Sequence, residues 1–168
     1  MAGFFLTTAG LRVSLLWANS PLAKYIRNSP TEEIWVSPLS HAIMKDQFFG
    51  ESGASPELRK QGYQAVEMHA RQMARINPTQ YPYPDEPALD IWAQIRSLEV
   101  NIAAYDDGVA QHVAQQLGPD ELLVFATAAA HLKPLIGPAP DDPDTLRVLD
   151  GLGIRFVPAS TWLGAHGT

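Results

Sequence analysis

Apolar positions along the chain fall into two patterns, short continuous runs and longer stretches with helical spacing. Gly3 to Leu6 form a run, as do Ile34, Trp35 and Val36, whereas Leu11, Leu15 and Ala18 recur at helical intervals. A short apolar run bounded by turn residues fits a strand buried on both faces, and an i, i+3/i+4 recurrence fits a helix. Ser20-Pro21, Ser37-Pro38 and Ser55-Pro56 each put a capping hydroxyl before a proline, a helix-opening signature. The spacing predicts helices from Pro21 through Ile26 and from Pro38 towards Phe49. It also predicts a long amphipathic helix over 57–76, with Leu58, Val66, Met73 and Ile76 among its apolar positions.

Further along, Ala88 to Arg96 reads as a short helix and Leu98 to Ala103 as a third strand. Asp106 or Asp107 caps a helix that ends at Gly118, and Pro119 opens the next one, through Ala130. Leu135-Ile136 makes a fourth strand, Asp142-Pro143 starts a helix finishing near Gly151, and Ile154 to Val157 is the last strand. Strands separated by helices throughout imply a parallel sheet covered on both faces. The expectation is an α/β fold of three layers with about five parallel strands and helices on both faces.

The length, 168 residues, fits one domain over 1–168. The four prolines and two tyrosines of 77–87 read as an internal loop, and 163–168 as a mobile tail. A composition of 46% hydrophobic and 18% charged residues is that of a globular chain. No cysteine is present, so no disulfide or thiolate metal site can form, and a reducing, cytoplasmic compartment is the expectation. The apolar start lacks a basic leader and is interrupted by Arg12, and no run approaches the ~20 apolar residues of a membrane span.

A net charge of −6, from 18 acids and 12 bases, removes the general attraction that supplies most non-specific nucleic-acid affinity. RNA binding would need a local basic patch, for which Lys60, Arg71 and Arg75 are the candidates. Trp17, Trp35, Trp92 and Trp162 are possible stacking platforms, although Trp35 reads as core and Tyr81 and Tyr83 are better surface contacts. His41, His69, His112 and His131 lie on predicted helices without a partner at metal-ligand spacing, and His166 lies in the tail. Ser37-Pro38-Leu39-Ser40 is not a nucleophile elbow, and no glycine-rich phosphate loop is present.

Two longer stretches carry a resemblance. ELLVFATAAAHLKPLIG (Glu121 to Gly137) and GLGIRFVPASTW (Gly151 to Trp162) resemble the alanine-rich helix, short strand and closing strand of PIN-domain ribonucleases. FFLTTAGL (Phe4 to Leu11) and TEEIWVSPLSHAIMKDQFFG (Thr31 to Gly50) are similar to that family's first strand and its second strand and helix. In length and layout the chain is most similar to the toxin ribonucleases of bacterial toxin–antitoxin and plasmid-stability pairs. The resemblance implies a strand order of 3-2-1-4-5 and a cluster of carboxylates holding Mg²⁺ or Mn²⁺, which activates water for RNA cleavage.

Carried over position by position, most of that cluster is lost. The first aspartate falls on Thr7, the following asparagine on Ala9, the helix glutamate on Ile43 and the last polar position on Gly137. Glu121 alone keeps a carboxylate, as the catalytic candidate. A rebuilt metal site would draw on Glu121, Asp120 and Asp142, with Asp46 and Asp141 nearby in sequence. The plainer reading makes Asp120 and Glu121 stabilisers of a helix N-terminus and Asp142 an N-cap.

Three functions therefore stand open: a scaffold without nuclease activity that binds a protein or RNA partner and takes no cofactor; a divergent Mg²⁺- or Mn²⁺-dependent endoribonuclease; or an unrelated doubly wound binding domain. The expected partners are a second copy of the chain, in a homodimer, or an antitoxin-like peptide, with RNA possible and no membrane.

Overall fold

In a computed structural model, which describes residues 3–50, 55–100, 108–141 and 143–167, each of the short apolar runs at Phe4, Ile34 and Leu135 is a strand. The strands are β1 (Phe4–Leu6), β2 (Ile34–Trp35), β3 (Leu135–Gly137) and β4 (Phe156–Pro158). They form one parallel sheet in the order β2-β1-β3-β4. Phe5 faces Trp35 on one side and Leu135 on the other, while Ile136 faces Val157.

Alternation along each strand divides the interior into two cores, because successive side chains point to opposite faces. Phe4, Leu6 and Ile136 join one core with Leu11, Met44 and Val66. Phe5 and Leu135 join the other with Leu122, Phe125, Leu149 and Ile154. Both faces are thus covered, which is why these strands are apolar runs without polar alternation.

The described α-helices are α1 (Thr8–Leu16), α2 (Pro21–Asn28), α3 (Pro38–Gly50), α4 (Pro56–Ile76), α5 (Glu86–Val100), α6 (Gly108–Ala130), α7 (Asp144–Gly151) and, after the last strand, α8 (Ala159–His166). Their starts follow the serine-proline signature where it occurs. Ser20 accepts the Ala23 N–H at 3.1 Å, and Ser55 accepts the Leu58 N–H at 3.2 Å. Each satisfies one of the N–H groups that a helix start leaves without a backbone partner. The long helix α6 breaks at Gly118, whose φ of 72° and ψ of 159° are open to glycine and to few other residues. Pro119 then restarts it, as the sequence predicts.

Two expectations need correction or restatement. Leu98, Glu99 and Val100 are the last residues of α5 and not the start of a third strand. The spacing Ala88, Ile91, Ile95, Leu98 continues a helical period that the β-branched and apolar run at its end conceals. The remainder of that predicted strand, 101–103, lies outside the described residues. The described sheet therefore has four strands, and its order is the expected 3-2-1-4-5 with the third strand removed. The stretch expected to be a mobile tail is helical as far as His166. Within 77–87, Pro78–Gln80 is a single 3₁₀ turn, and Asp85 Oδ1 accepts the Ala88 N–H at 3.0 Å to open α5.

Candidate functional site

The carboxyl ends of β1 and β3 open into a cleft of about 750 Å³. Adjacent strands β1 and β3 are followed by connections on opposite sides of the sheet, so the crevice lies where ligands of open α/β sheets usually bind. Thr7, Thr8 and Ala9, at the start of α1, form its floor. Leu39, Ala42, Ile43 and Asp46 of α3 form one wall. Gly118, Pro119, Asp120 and Glu121, at the break in α6, form the other, and Pro138 and Pro140 close it above β3.

The cleft gathers most of the positions singled out in the sequence. Thr7 is buried and caps α1, its Oγ1 accepting the Gly10 N–H at 2.9 Å. Ala9 is exposed, and Ile43 is half-buried against the core behind the wall. Glu121 is half-buried and accepts the Thr8 N–H at 3.3 Å, while Thr8 Oγ1 donates to Ser40 Oγ at 3.1 Å. Burial raises the Glu121 carboxyl above the ordinary glutamate value, and the hydrogen bonds from Thr8 only partly oppose this. Asp46 and Asp120 line the same cleft but are exposed.

Gly137 has a steric explanation. A Cβ built on it would collide with Thr7 Oγ1 and lie 3.0 Å from Thr7 Cγ2 and 3.1 Å from Thr7 Cβ. Thr7 therefore occupies the space that a side chain at 137 would need. Read one position at a time, Thr7 and Gly137 are two losses; in the structure they are one packing arrangement.

For a divalent metal the donor set is poor. Thr7, Ala9 and Ile43 offer no carboxylate, and Glu121, pushed towards its protonated form, is already engaged by Thr8. Among the described residues no three of His, Cys, Asp and Glu come together closely enough to hold a metal ion. Asp142, third member of the sequence-proposed site, lies outside the described residues, and Asp141 is exposed.

The other candidates scatter. Lys60, Arg71 and Arg75 all lie exposed on α4 but in separate grooves, Lys60 beside Tyr63 and Phe48, and the two arginines beside Met68 and Ile76. Arg71 Nε also pairs with Glu67 Oε1 at 3.2 Å. Trp17 is exposed, Trp92 Nε1 donates to the Pro119 carbonyl at 2.9 Å, and Trp162 packs on Phe4. Trp35 is half-buried between His131 and the Lys133 ammonium. Tyr83 is exposed, but Tyr81 is half-buried, with its hydroxyl on His41. His41 in turn meets His69, a pair that sequence spacing does not reveal because 28 residues separate them. His131 is 3.9 Å from Asp85, His166 stacks on Trp162, and the His112 side chain lies outside the described residues.

No helix among the described residues is long and apolar enough to cross a membrane. No family model and no curated protein matches the chain. Solved structures do. The VapBC complex of Salmonella typhimurium bound to DNA is similar with a TM-score of 0.59 at 14% identity, over 95% of this chain and 99% of that one. VapBC2 of Rickettsia felis, bound to a DNA fragment from its promoter, is similar with a TM-score of 0.58 at 11% identity, over 92% and 97%. VapBC-5 of Mycobacterium tuberculosis, from a family of toxin–antitoxin systems, is similar with a TM-score of 0.53 at 18% identity, over 94% and 99%.

At such identities the likeness shows a shared α/β fold. It corrects the resemblance to PIN-domain toxin ribonucleases drawn from the sequence. The neighbours are VapBC complexes, and a likeness at these identities does not tie the chain to the toxin kind over the antitoxin kind.

Proposed function

We propose that this chain is a binding protein of the toxin–antitoxin kind, whose cleft receives a segment of a protein partner and performs no metal-dependent chemistry. The single observation that carries the reading is the make-up of the cleft. It is large enough for several side chains, and Ala9, Ala42, Ile43, Leu39 and the prolines give it mostly apolar or small walls. One half-buried carboxylate, Glu121, stands in its α6 wall. Apolar walls with few convergent polar groups favour an inserted peptide, and Glu121 favours an occupant carrying a hydrogen-bond donor or a cation. The neighbours being two-partner complexes supports a protein occupant. The net charge of −6 speaks against RNA as the principal one.

The competing reading is a Mg²⁺- or Mn²⁺-dependent ribonuclease, favoured by the presence of Asp46, Asp120 and Glu121 around one cleft. Calorimetric titration of the protein with Mn²⁺ separates the two. The proposal expects no saturable heat up to several millimolar Mn²⁺. Saturable binding that disappears in Glu121→Gln would overturn it in favour of the metal site.

A further inference from the structure

His41 on α3 and His69 on α4 approach through Nε2 and Nδ1 at 2.9 Å, with ring centroids 5.1 Å apart. On the other side of His41, the Tyr81 hydroxyl lies 2.8 Å from Nδ1, and the tyrosine ring meets the imidazole edge-on at 5.2 Å. Tyr81 follows the 3₁₀ turn at the end of α4, and that turn is tied to the sheet side by the Val36 N–H donating to the Gln80 carbonyl at 2.9 Å. Three segments of the chain thus converge on one line of hydrogen bonds. His41 is buried, and the other two members are half-buried.

A neutral imidazole carries one donor and one acceptor, so two neutral rings and a phenol complete such a line in either direction. One added proton keeps the line bonded only if Tyr81 accepts, and it sets a full positive charge in buried surroundings. A second proton leaves an N–H on each of the two nitrogens that face each other at 2.9 Å.

The neighbouring charges do not relieve this. Lys45 of α3 faces His41, and the carboxylate acting on His41, Glu67 of α4, is already paired with Lys45 and with Arg71. Arg27 of α2 lines a small cavity together with His69, and Arg12 of α1 is held by Gln47 and the Phe48 ring. On the loop side, Tyr83 acts on Tyr81.

We propose that the His41–His69–Tyr81 line is an acid-sensitive latch, which fastens α4 and the segment 77–81 onto α3 at neutral pH and opens as the pH falls. The inference stands on this geometry and not on what occupies the cleft. Because α3 also supplies the cleft wall through Leu39, Ala42 and Ile43, opening of the latch loosens that wall from behind.

The sign follows from the two histidines. Burial first, then His69 and Lys45, lower His41 from 6.5 to about 3, and burial also lowers His69. The closed state therefore takes up fewer protons than the open one. The latch is at full strength above about pH 6.5 and weakens progressively below it. Glu121 has the opposite sign, since burial raises its carboxyl, so it cannot produce the same response.

The test is amide hydrogen exchange on the full chain at pH 7.5 and pH 5.0, corrected for the intrinsic pH dependence of exchange. Protection over 56–81 is expected to fall roughly tenfold or more at pH 5.0, while β1 and β3 keep theirs. In His69→Gln the amide oxygen accepts from His41 without a second titrating ring, and the response to pH should shrink. If that variant does not fold, Tyr81→Phe serves, with protection over 56–81 already reduced at pH 7.5. Equal protection of wild-type 56–81 at the two pH values, or an undiminished response in folded His69→Gln, overturns the proposal.

Discussion

Replacing Gly137 by alanine should destabilise the protein by about 2–4 kcal/mol, and the reason lies in a single neighbour. The new methyl meets Thr7 Oγ1, Cγ2 and Cβ together, with the last two at 3.0 and 3.1 Å. Thr7 is buried, and overpacking of this sort costs about 1–3 kcal/mol. Rotation of the side chain would relieve the clash but release the Gly10 N–H, a capping bond worth about 1 kcal/mol. The backbone has little slack as well, because the Thr7 N–H donates to the Ile136 carbonyl at 3.1 Å.

A double-mutant cycle in urea, followed by circular dichroism, isolates the effect. In a Thr7→Ala background the hydroxyl and methyl are gone and the cap is already lost. Gly137→Ala should then cost about 1 kcal/mol or less, giving a coupling of about 1–3 kcal/mol between the two sites. Equal costs in the two backgrounds would refute the claim that Thr7 and Gly137 are one packing unit.

Other outcomes follow from the same structure. Phe5→Ala, at a fully buried position between two strands, should lower stability by about 3–5 kcal/mol in denaturant titration. Ser20→Ala removes the cap on α2 and should cost about 1 kcal/mol in the same assay. Glu121→Gln keeps an acceptor for the Thr8 N–H but removes a half-buried charge whose carboxyl burial raises. The native state thus holds its proton more tightly than the unfolded state. The variant should be at least as stable as the parent at pH 7.5, and its advantage should shrink as the pH falls towards the ordinary glutamate value. Unfolding midpoints at pH 7.5 and pH 5.0 measure this, and a variant less stable at pH 7.5 would contradict it.

The sequence made the sheet legible where apolar runs were short and bounded, as at Phe4–Leu6 and Leu135–Gly137, since burial on both faces leaves a continuous apolar signature. Helix starts were legible through Ser20-Pro21 and Ser55-Pro56, whose chemistry is local. The run at Leu98–Val100 misled because a helix end and a strand start share apolar, β-branched residues, and length alone separates them.

The cleft was legible in part. Thr7, Ala9, Ile43, Asp120 and Glu121 do converge, but aligned positions cannot show that Thr7 fills the space above Gly137. His41, His69 and Tyr81 gave no signal, because their contacts join residues 28 and 40 positions apart and depend on how α3 packs against α4.

The central claim, that the cleft holds a protein segment, is tested most directly by photo-cross-linking in cells from a benzophenone amino acid at Ala42, an exposed position on the α3 wall. The same group at Leu132, exposed and away from the cleft, is the control. A second polypeptide should be captured at Ala42, resistant to nuclease and absent from the Leu132 sample. Equal capture at the two positions, or an adduct that nuclease removes, would contradict the account.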